Sequence, residues 1–314
     1  MVDQRRDLGE GEGLPDSAAM ESAEASGKDY GNVKGRTQRE IIWRRFKRHR
    51  LALVGGAILL LLYLAAIVTP WIAPYGYAEL DLTALNQPPS LKHPMGTDRL
   101  GRDELTRVLY GGRVSLMVGL GVGVVSTLIG TSVGIFSGYY GRFVDTATMG
   151  FVDFMLVLPF IPLLLVMGSI FQFTPLTITL VLPLFLWPRM ARLVRGQVLA
   201  IRDQEYVQAA RAVGVSDFRI MLRHILPNVV GIIVVETTLI VALAILLETA
   251  VSFLGLGIQP PTPSWGNLLE DSRATMTEQP WLTWFPGMMI VITALCVNFL
   301  GDGLRDALDP KAVE

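Results

Sequence analysis

Residues 51–73, 113–137, 150–172, 174–195, 228–250 and 284–303 form long, predominantly apolar runs, and these limit the chain to very few folds. A run of ~20 residues rising 1.5 Å per residue spans the ~30 Å hydrocarbon core of a bilayer. No water is available there to satisfy a backbone amide, so each run must close its hydrogen bonds internally, as a helix. The spacing predicts an all-α membrane protein with six transmembrane helices. Composition agrees: 51% of residues are hydrophobic and only 18% are charged, with a mean hydropathy of +0.44.

The remaining composition excludes several functions. A net charge of −1 gives no basis for nucleic-acid binding. Cys296 is the single cysteine, so the chain has no internal disulfide and no Cys-rich metal site, and its apolar surroundings suit a small packing residue. His49, His93 and His224 lie far apart, without metal-ligand spacing. Residues 1–35 are rich in Gly, Ser, Ala and acids and are expected to be a disordered cytoplasmic tail. They are not a signal peptide, because no apolar core follows Arg5 and Arg6. Basic residues Arg36, Arg39, Arg44, Arg45, Lys47, Arg48 and Arg50 directly precede the first apolar run, and such residues stay on the cytoplasmic side. The N-terminus, residues 138–149 and 196–227, and the C-terminus are therefore expected inside, with 74–112 and 251–283 outside. Arg99, Arg102 and Arg107 fit this scheme poorly, since they fall in an outer loop, interleaved with Asp98, Asp103 and Glu104.

The polar stretch EYVQAARAVGVSDFRIMLRHILP, residues 205–227, has the build of two short helices joined at a glycine. Tyr206, Val207, Ala209, Ala210 and Val213 recur at helical spacing and give the first helix an apolar face. Gly214 stands where a left-handed conformation ends a helix. Ser216 is placed to cap the second helix, which runs into Met221, Leu222 and Ile225, and Pro227 opens the next span. The stretch resembles the EAA loop of ABC-transporter permease subunits, whose pattern is matched by Glu205, Ala209, Ala210, Gly214, Ile225, Leu226 and Pro227. The glutamate comes early, as EYVQAA, a spacing that the peptide-importer branch often shows. In that family the loop is a coupling helix that docks into a groove on a separate ATP-hydrolysing subunit.

Three further stretches resemble the dipeptide, oligopeptide and nickel permeases of the same branch: HPMGTDRLGRDELTRVLYGGRVSL (93–116), SFLGLGIQPPTPSWGNLL (252–269) and NFLGDGLRDALDPK (298–311). Physically, Thr97 or Asp98 can cap a short helix with Leu105, Val108 and Leu109 on one face. The Gly/Pro-rich second stretch favours turns and leads to Trp265 and Leu268, expected at the membrane surface. The resemblance implies the type I importer permease fold, in the shorter of two partner permeases. It also implies a bacterial inner membrane, a second permease subunit, two ATPase subunits, an extracytoplasmic substrate-binding protein and a peptide substrate. The expected organisation is the 1–35 tail, a basic segment and first span at 36–73, an outer loop with a short amphipathic helix at 74–112, the core permease at 113–305 and a cytoplasmic tail at 306–314.

Ser126, Gly130, Gly134 and Gly138 form a small-residue row in the second span, and Gly119 and Gly123 a second pair, where helices can approach closely. Pro159, Pro162, Pro183 and Pro188 lie inside the third and fourth spans and are expected to bend them. Glu236 departs from the family, which commonly has an uncharged residue there, and an intramembrane carboxylate is a functional-site candidate by default. Glu248 matches a family glutamate and is the expected contact for a peptide ammonium group at the mouth of the path. Glu236 is expected to pair with another helix or with an arginine near the inner surface. No GxxxxGK[ST] motif occurs, so the chain cannot cradle ATP by that route; the resemblance implies that ATP and Mg are held by the partner subunits, and no cofactor and no ATPase site are expected in this chain. A nickel or other small-solute importer permease is the nearest alternative. A stand-alone secondary transporter should show inverted repeats, and none is visible. A membrane-anchored scaffold would not need the EAA loop.

Overall fold

A computed structural model describes residues 38–308. The chain divides into units 1–41 and 42–314. Only the opening of α1 (Gln38–Arg48) is described in the first unit, and all later elements belong to the second. The expected disordered tail lies outside the described residues.

Among the described residues, five helices are long and apolar enough to cross a membrane, and a sixth crossing requires a bent pair to count as one. α2 (Arg50–Ile72) begins where the His49 side chain accepts from the Ala52 amide. α3 (Glu104–Tyr140) runs for 37 residues, about 55 Å. Its N-cap is Asp103, which accepts from the Thr106 amide and hydroxyl, both at 2.8 Å. The expected short helix before the second span is therefore the first turns of α3, not a separate element. Neither Thr97 nor Asp98 caps it, because Thr97 is bonded to Ala84 and Gln87 and Asp98 is engaged by arginines.

The third span is broken. α4 (Arg142–Val157) and α5 (Phe160–Ile170) meet at 74°. Leu158 is held extended (φ −62°, ψ 133°) because Pro159 comes next, and Pro159 offers no N–H to continue the ladder. By contrast, α6 (Pro175–Ile201) accommodates Pro183 and Pro188 within one helix, both buried, and starts from a Thr174–Thr177 capping box. α7 (Glu205–Ala212) comes next, then α8 (Asp217–Ile220), a π-helical turn (Met221–Ile225) and α9 (Leu226–Phe253). Residues 217–253 form one continuous rod, so the second arm of the expected two-helix loop is the foot of the fifth span. Ser216 occupies the N-cap position but makes no side-chain cap bond. α10 (Trp265–Ser272) opens on a Ser264–Asn267 capping box, and α11 (Trp281–Leu308) ends the described chain, taking residues 306–308 out of the expected tail.

α3 is the central element and packs most extensively on α6, then on α9; α9 packs on α11, and α11 on α2. The small-residue rows explain why. A Cβ at Gly130 would stand 2.6 Å from Met190 Cβ, one at Gly134 2.6 Å from the Ala191 carbonyl, and one at Gly138 2.8 Å from Val198 Cβ. That row faces α6. The Gly119 and Gly123 pair faces Ile245 and Val241 of α9. Cys296 is buried in the α2–α9–α11 core, consistent with its apolar neighbours in the chain.

Candidate functional site: the hairpin between the fourth and fifth spans

The hairpin is built on a glycine turn. Gly214 has φ +81°, a region that non-glycine residues rarely occupy. The Gly214 amide donates to the Arg211 carbonyl at 3.0 Å and the Val215 amide to the Ala210 carbonyl at 3.1 Å. This pair of bonds is a Schellman close and satisfies the Ala210 and Arg211 carbonyls in the last turn of α7. Glu205 lies exposed in the first turn of α7, where a carboxylate complements the helix dipole.

Burial divides the motif residues into two groups. Val207, Ala210, Ile220, Met221 and Ile225 face inward and join Ile135, Tyr139, Val194 and Val198 in the main core. Ala210 and Ile225 therefore hold the hairpin to the spans and offer nothing to a partner. Leu226 is half-buried, while Ala209 and Pro227 are exposed. The expected single apolar face of α7 is in fact two, since Tyr206, Ala209 and Val213 point out. Val213 is 79% exposed, and Phe218 on α8, which no motif marks, is 69% exposed. Tyr206 and Leu222 complete an outward apolar patch among Arg211, Arg219 and Arg223. The signal was present in the sequence: α7 carries more apolar residues than one buried stripe on an eight-residue helix needs.

The two carboxylates of the fifth span have different surroundings. Glu236 is nearly buried, with Oε1 2.7 Å from Arg189 Nε of α6, a close ion pair without hydrogen-bond geometry. Arg189 sits mid-helix with its side chain 64% exposed, so the pairing is with another helix, as one of the two expectations had it. Glu248 has no exposed surface. Ser115 Oγ of α3 donates to it at 3.0 Å and Ser252 Oγ at 2.9 Å. The same Ser115 oxygen accepts from the Trp265 amide at 3.2 Å, and Ser252 Oγ accepts from the Ile258 amide at 3.2 Å. This corrects the expectation that Glu248 meets a solute: a carboxylate enclosed by its own helices has no face to offer, and it ties α3, α9 and the 252–265 loop together.

Two of the stretches that carried the resemblance, 93–116 and 252–269, meet each other. Asp98 accepts from Arg102 Nε at 2.6 Å and Arg107 Nη1 at 2.8 Å; Asp271 accepts from Arg107 Nη2 at 2.8 Å and Arg102 Nη2 at 3.3 Å. His93 Nδ1 lies 2.9 Å from Asp103. Trp265 Nε1 donates to the Val108 carbonyl at 3.0 Å, with the ring against Gly111 and Gly112. Trp265 and Leu268 are thus buried in the protein, not at a membrane surface. The arginines that strained the charge pattern of the 74–112 loop are largely consumed in this cluster, so they are not free positive charges. Nearby, hydrogen bonds from the Thr83 hydroxyl and amide, helped by Lys92, lower the Asp81 carboxyl to about 2.

Long apolar helices, one expected span of which is broken, with a polar hairpin joining two of the others, define a membrane protein of several spans. The chain belongs to the family of binding-protein-dependent transport system inner membrane components, whose model matches residues 130–314. The N-terminal transmembrane domain of oligopeptide transport permease C matches residues 37–89. The chain is 44% identical over 278 residues to the oligopeptide transport system permease protein of Mycobacterium tuberculosis (88% of this chain, 96% of the relative). It is 43% identical to the Escherichia coli protein of that description (89% and 93%) and 42% identical to the dipeptide transport system permease protein of Bacillus subtilis (86% and 84%). It is a multi-pass inner-membrane protein.

Proposed function

We propose that this chain is the permease subunit of an ATP-driven peptide importer, and that the 205–227 hairpin docks on a separate ATPase. The observation that carries the reading is the outward patch of Tyr206, Ala209, Val213, Phe218 and Leu222 on an arginine-bearing hairpin beyond the span ends. A loop left in water has no reason to expose that much apolar surface. The relatives named for oligopeptide and dipeptide transport support the substrate class. The full assembly has a second permease, two ATPase subunits that hold ATP and Mg, and an extracytoplasmic binding protein; this chain contributes no nucleotide site. The basic run at 36–50 and the arginines of the hairpin support a cytoplasmic N-terminus, hairpin and C-terminus. A charge within a membrane turns away from acyl chains. We therefore assign the face of α6 that carries the exposed Arg189 head to the translocation path, with Glu236 holding the guanidinium in place. Purification of tagged chain from membranes, followed by ATP-hydrolysis and labelled-peptide uptake assays, tests this. The expected result is a co-purifying ATPase and uptake that stops without ATP. Uptake driven by an ion gradient, with no ATPase attached, would refute the proposal.

A further inference from the structure

The hairpin reaches its three neighbouring spans by different means. It is continuous with α9 through the π-helical turn, and Asn228 Nδ2 also donates to the Tyr206 hydroxyl at 3.3 Å. It is joined to α6 by a short link at 202–204. Its polar connection to α3 converges on Tyr139, the penultimate residue of that helix. The Tyr139 hydroxyl donates to Asp217 Oδ1 at 2.6 Å, and the guanidinium of Arg211 lies 5.3 Å from the centre of the same ring. Arg211 is in the last turn of α7 and Asp217 is the first residue of α8. One phenol from another helix therefore holds the residues that flank the Gly214 turn, one on each side. The ring is buried in the main core, while Asp217 and Arg211 are exposed. The bond is charge-assisted, and the cation over the ring face adds to it.

We propose that Tyr139 is a positioning residue that transmits hairpin displacement to α3. The inference rests on the docking role proposed above. When an ATPase shifts the hairpin, α9 moves with it by covalent continuity, whereas α3 moves because its inner end is pinned to both arms. Without the phenol oxygen, α3 keeps only the apolar packing of Ile135 and the ring, the Arg211 cation over that ring and the bond from Arg202 of the link to the Gly138 carbonyl, and hairpin displacement reaches it less completely. Because α3 carries glycine faces against both α6 and α9, its failure to move disturbs both contacts.

Two measurements on Tyr139→Phe test this. In the isolated chain, hydrogen exchange at the Gly214 and Val215 amides, which close the turn, should accelerate about tenfold, the loss expected for one hydrogen bond to a charged group. In the reconstituted complex, peptides moved per ATP hydrolysed should fall about threefold or more. A loosely packed helix would lower protein yield but has no reason to change that ratio. Asp217→Asn keeps an acceptor and should retain most of the ratio, whereas Asp217→Ala should reproduce the Tyr139→Phe result. If Tyr139→Phe is lost from the membrane, Asp217→Ala cuts the same bond from its exposed side and decides the question. Unchanged exchange together with an unchanged peptide-to-ATP ratio overturns the proposal. Failure of the docking role itself would look different: exchange would still accelerate, but no ATPase would accompany even the unsubstituted chain.

Discussion

Gly214→Val isolates the geometric demand of the hairpin. A Cβ at Gly214 would meet nothing within 4 Å, so added bulk costs nothing inside this chain and the penalty comes from φ +81° alone. An L-residue in left-handed backbone costs about 1–2 kcal/mol, and strained backbone of this kind reaches about 3 kcal/mol, with β-branched residues at the upper end. About 2 kcal/mol shifts the turn about thirtyfold toward open forms, and a partner that recognises only the closed turn loses apparent affinity by the same factor. The spans should stay inserted, because their apolar runs do not depend on the turn even though the inward residues of the hairpin share the main core. The assay compares Gly214→Asn, Gly214→Ala and Gly214→Val for membrane abundance, attached ATPase and peptide uptake. Asparagine tolerates positive φ and should keep most activity, alanine should be intermediate, and valine should abolish uptake with the chain still inserted. Asparagine failing as badly as valine would refute the reasoning, since close approach of a partner, not backbone conformation, would then be what requires glycine. Valine transporting normally, or vanishing from the membrane, would also sink it.

The other predictions rest on burial. Glu248→Ala should reduce folded protein sharply, by about 3–5 kcal/mol for two lost hydrogen bonds and a cavity, while Glu248→Gln keeps an acceptor and should be milder; slowed uptake at full protein yield from Glu248→Gln would restore a path role, measured by uptake normalised to assembled complex. Arg189→Ala should lower assembled complex more than Glu236→Ala, because the first strands a buried carboxylate and the second an exposed guanidinium; quantitative recovery after detergent extraction would expose the reverse order. Asp271→Ala leaves Arg102 and Arg107 buried without one of their two carboxylates and should cost about 3–5 kcal/mol, read as an earlier thermal transition. With Cys296 replaced, an impermeant thiol reagent applied to intact cells should label Thr277→Cys and leave Val213→Cys untouched; the opposite pattern would invert the topology.

The membrane helices were legible because hydrocarbon imposes one rule on every residue it covers, and an apolar run of ~20 residues has few stable places outside a bilayer. Gly214 was legible because its demand is local, and the Gly130–Gly134–Gly138 row because its spacing is helical whatever it packs on. The break at Leu158–Pro159 was not, since Pro183 and Pro188 show the same residue type accommodated within a helix; tertiary surroundings decide which outcome a proline produces. Nor did the sequence reveal that Asp103, rather than Thr97 or Asp98, caps α3. Asp98 is claimed by Arg102 and Arg107, both of which answer also to Asp271, 169 and 164 positions away in the chain. The fate of Glu248 turned on Ser115, 133 positions distant. Phe218 escaped notice because outward apolar residues near a span look like the start of the span.

The continuous rod from Asp217 to Phe253 has a mechanical consequence. It touches the Gly119 and Gly123 face of α3 at Val241 and Ile245. From Asp217 to Val241 is roughly 36 Å along the axis, and from Ile245 to Phe253 roughly 12 Å. A rod tilting about that contact is a lever with its fulcrum about three-quarters of the way up. A displacement applied at the foot arrives at the head about three times smaller and, by conservation of work, about three times more forceful. Such gearing favours a short, forceful movement at the head over a wide arc.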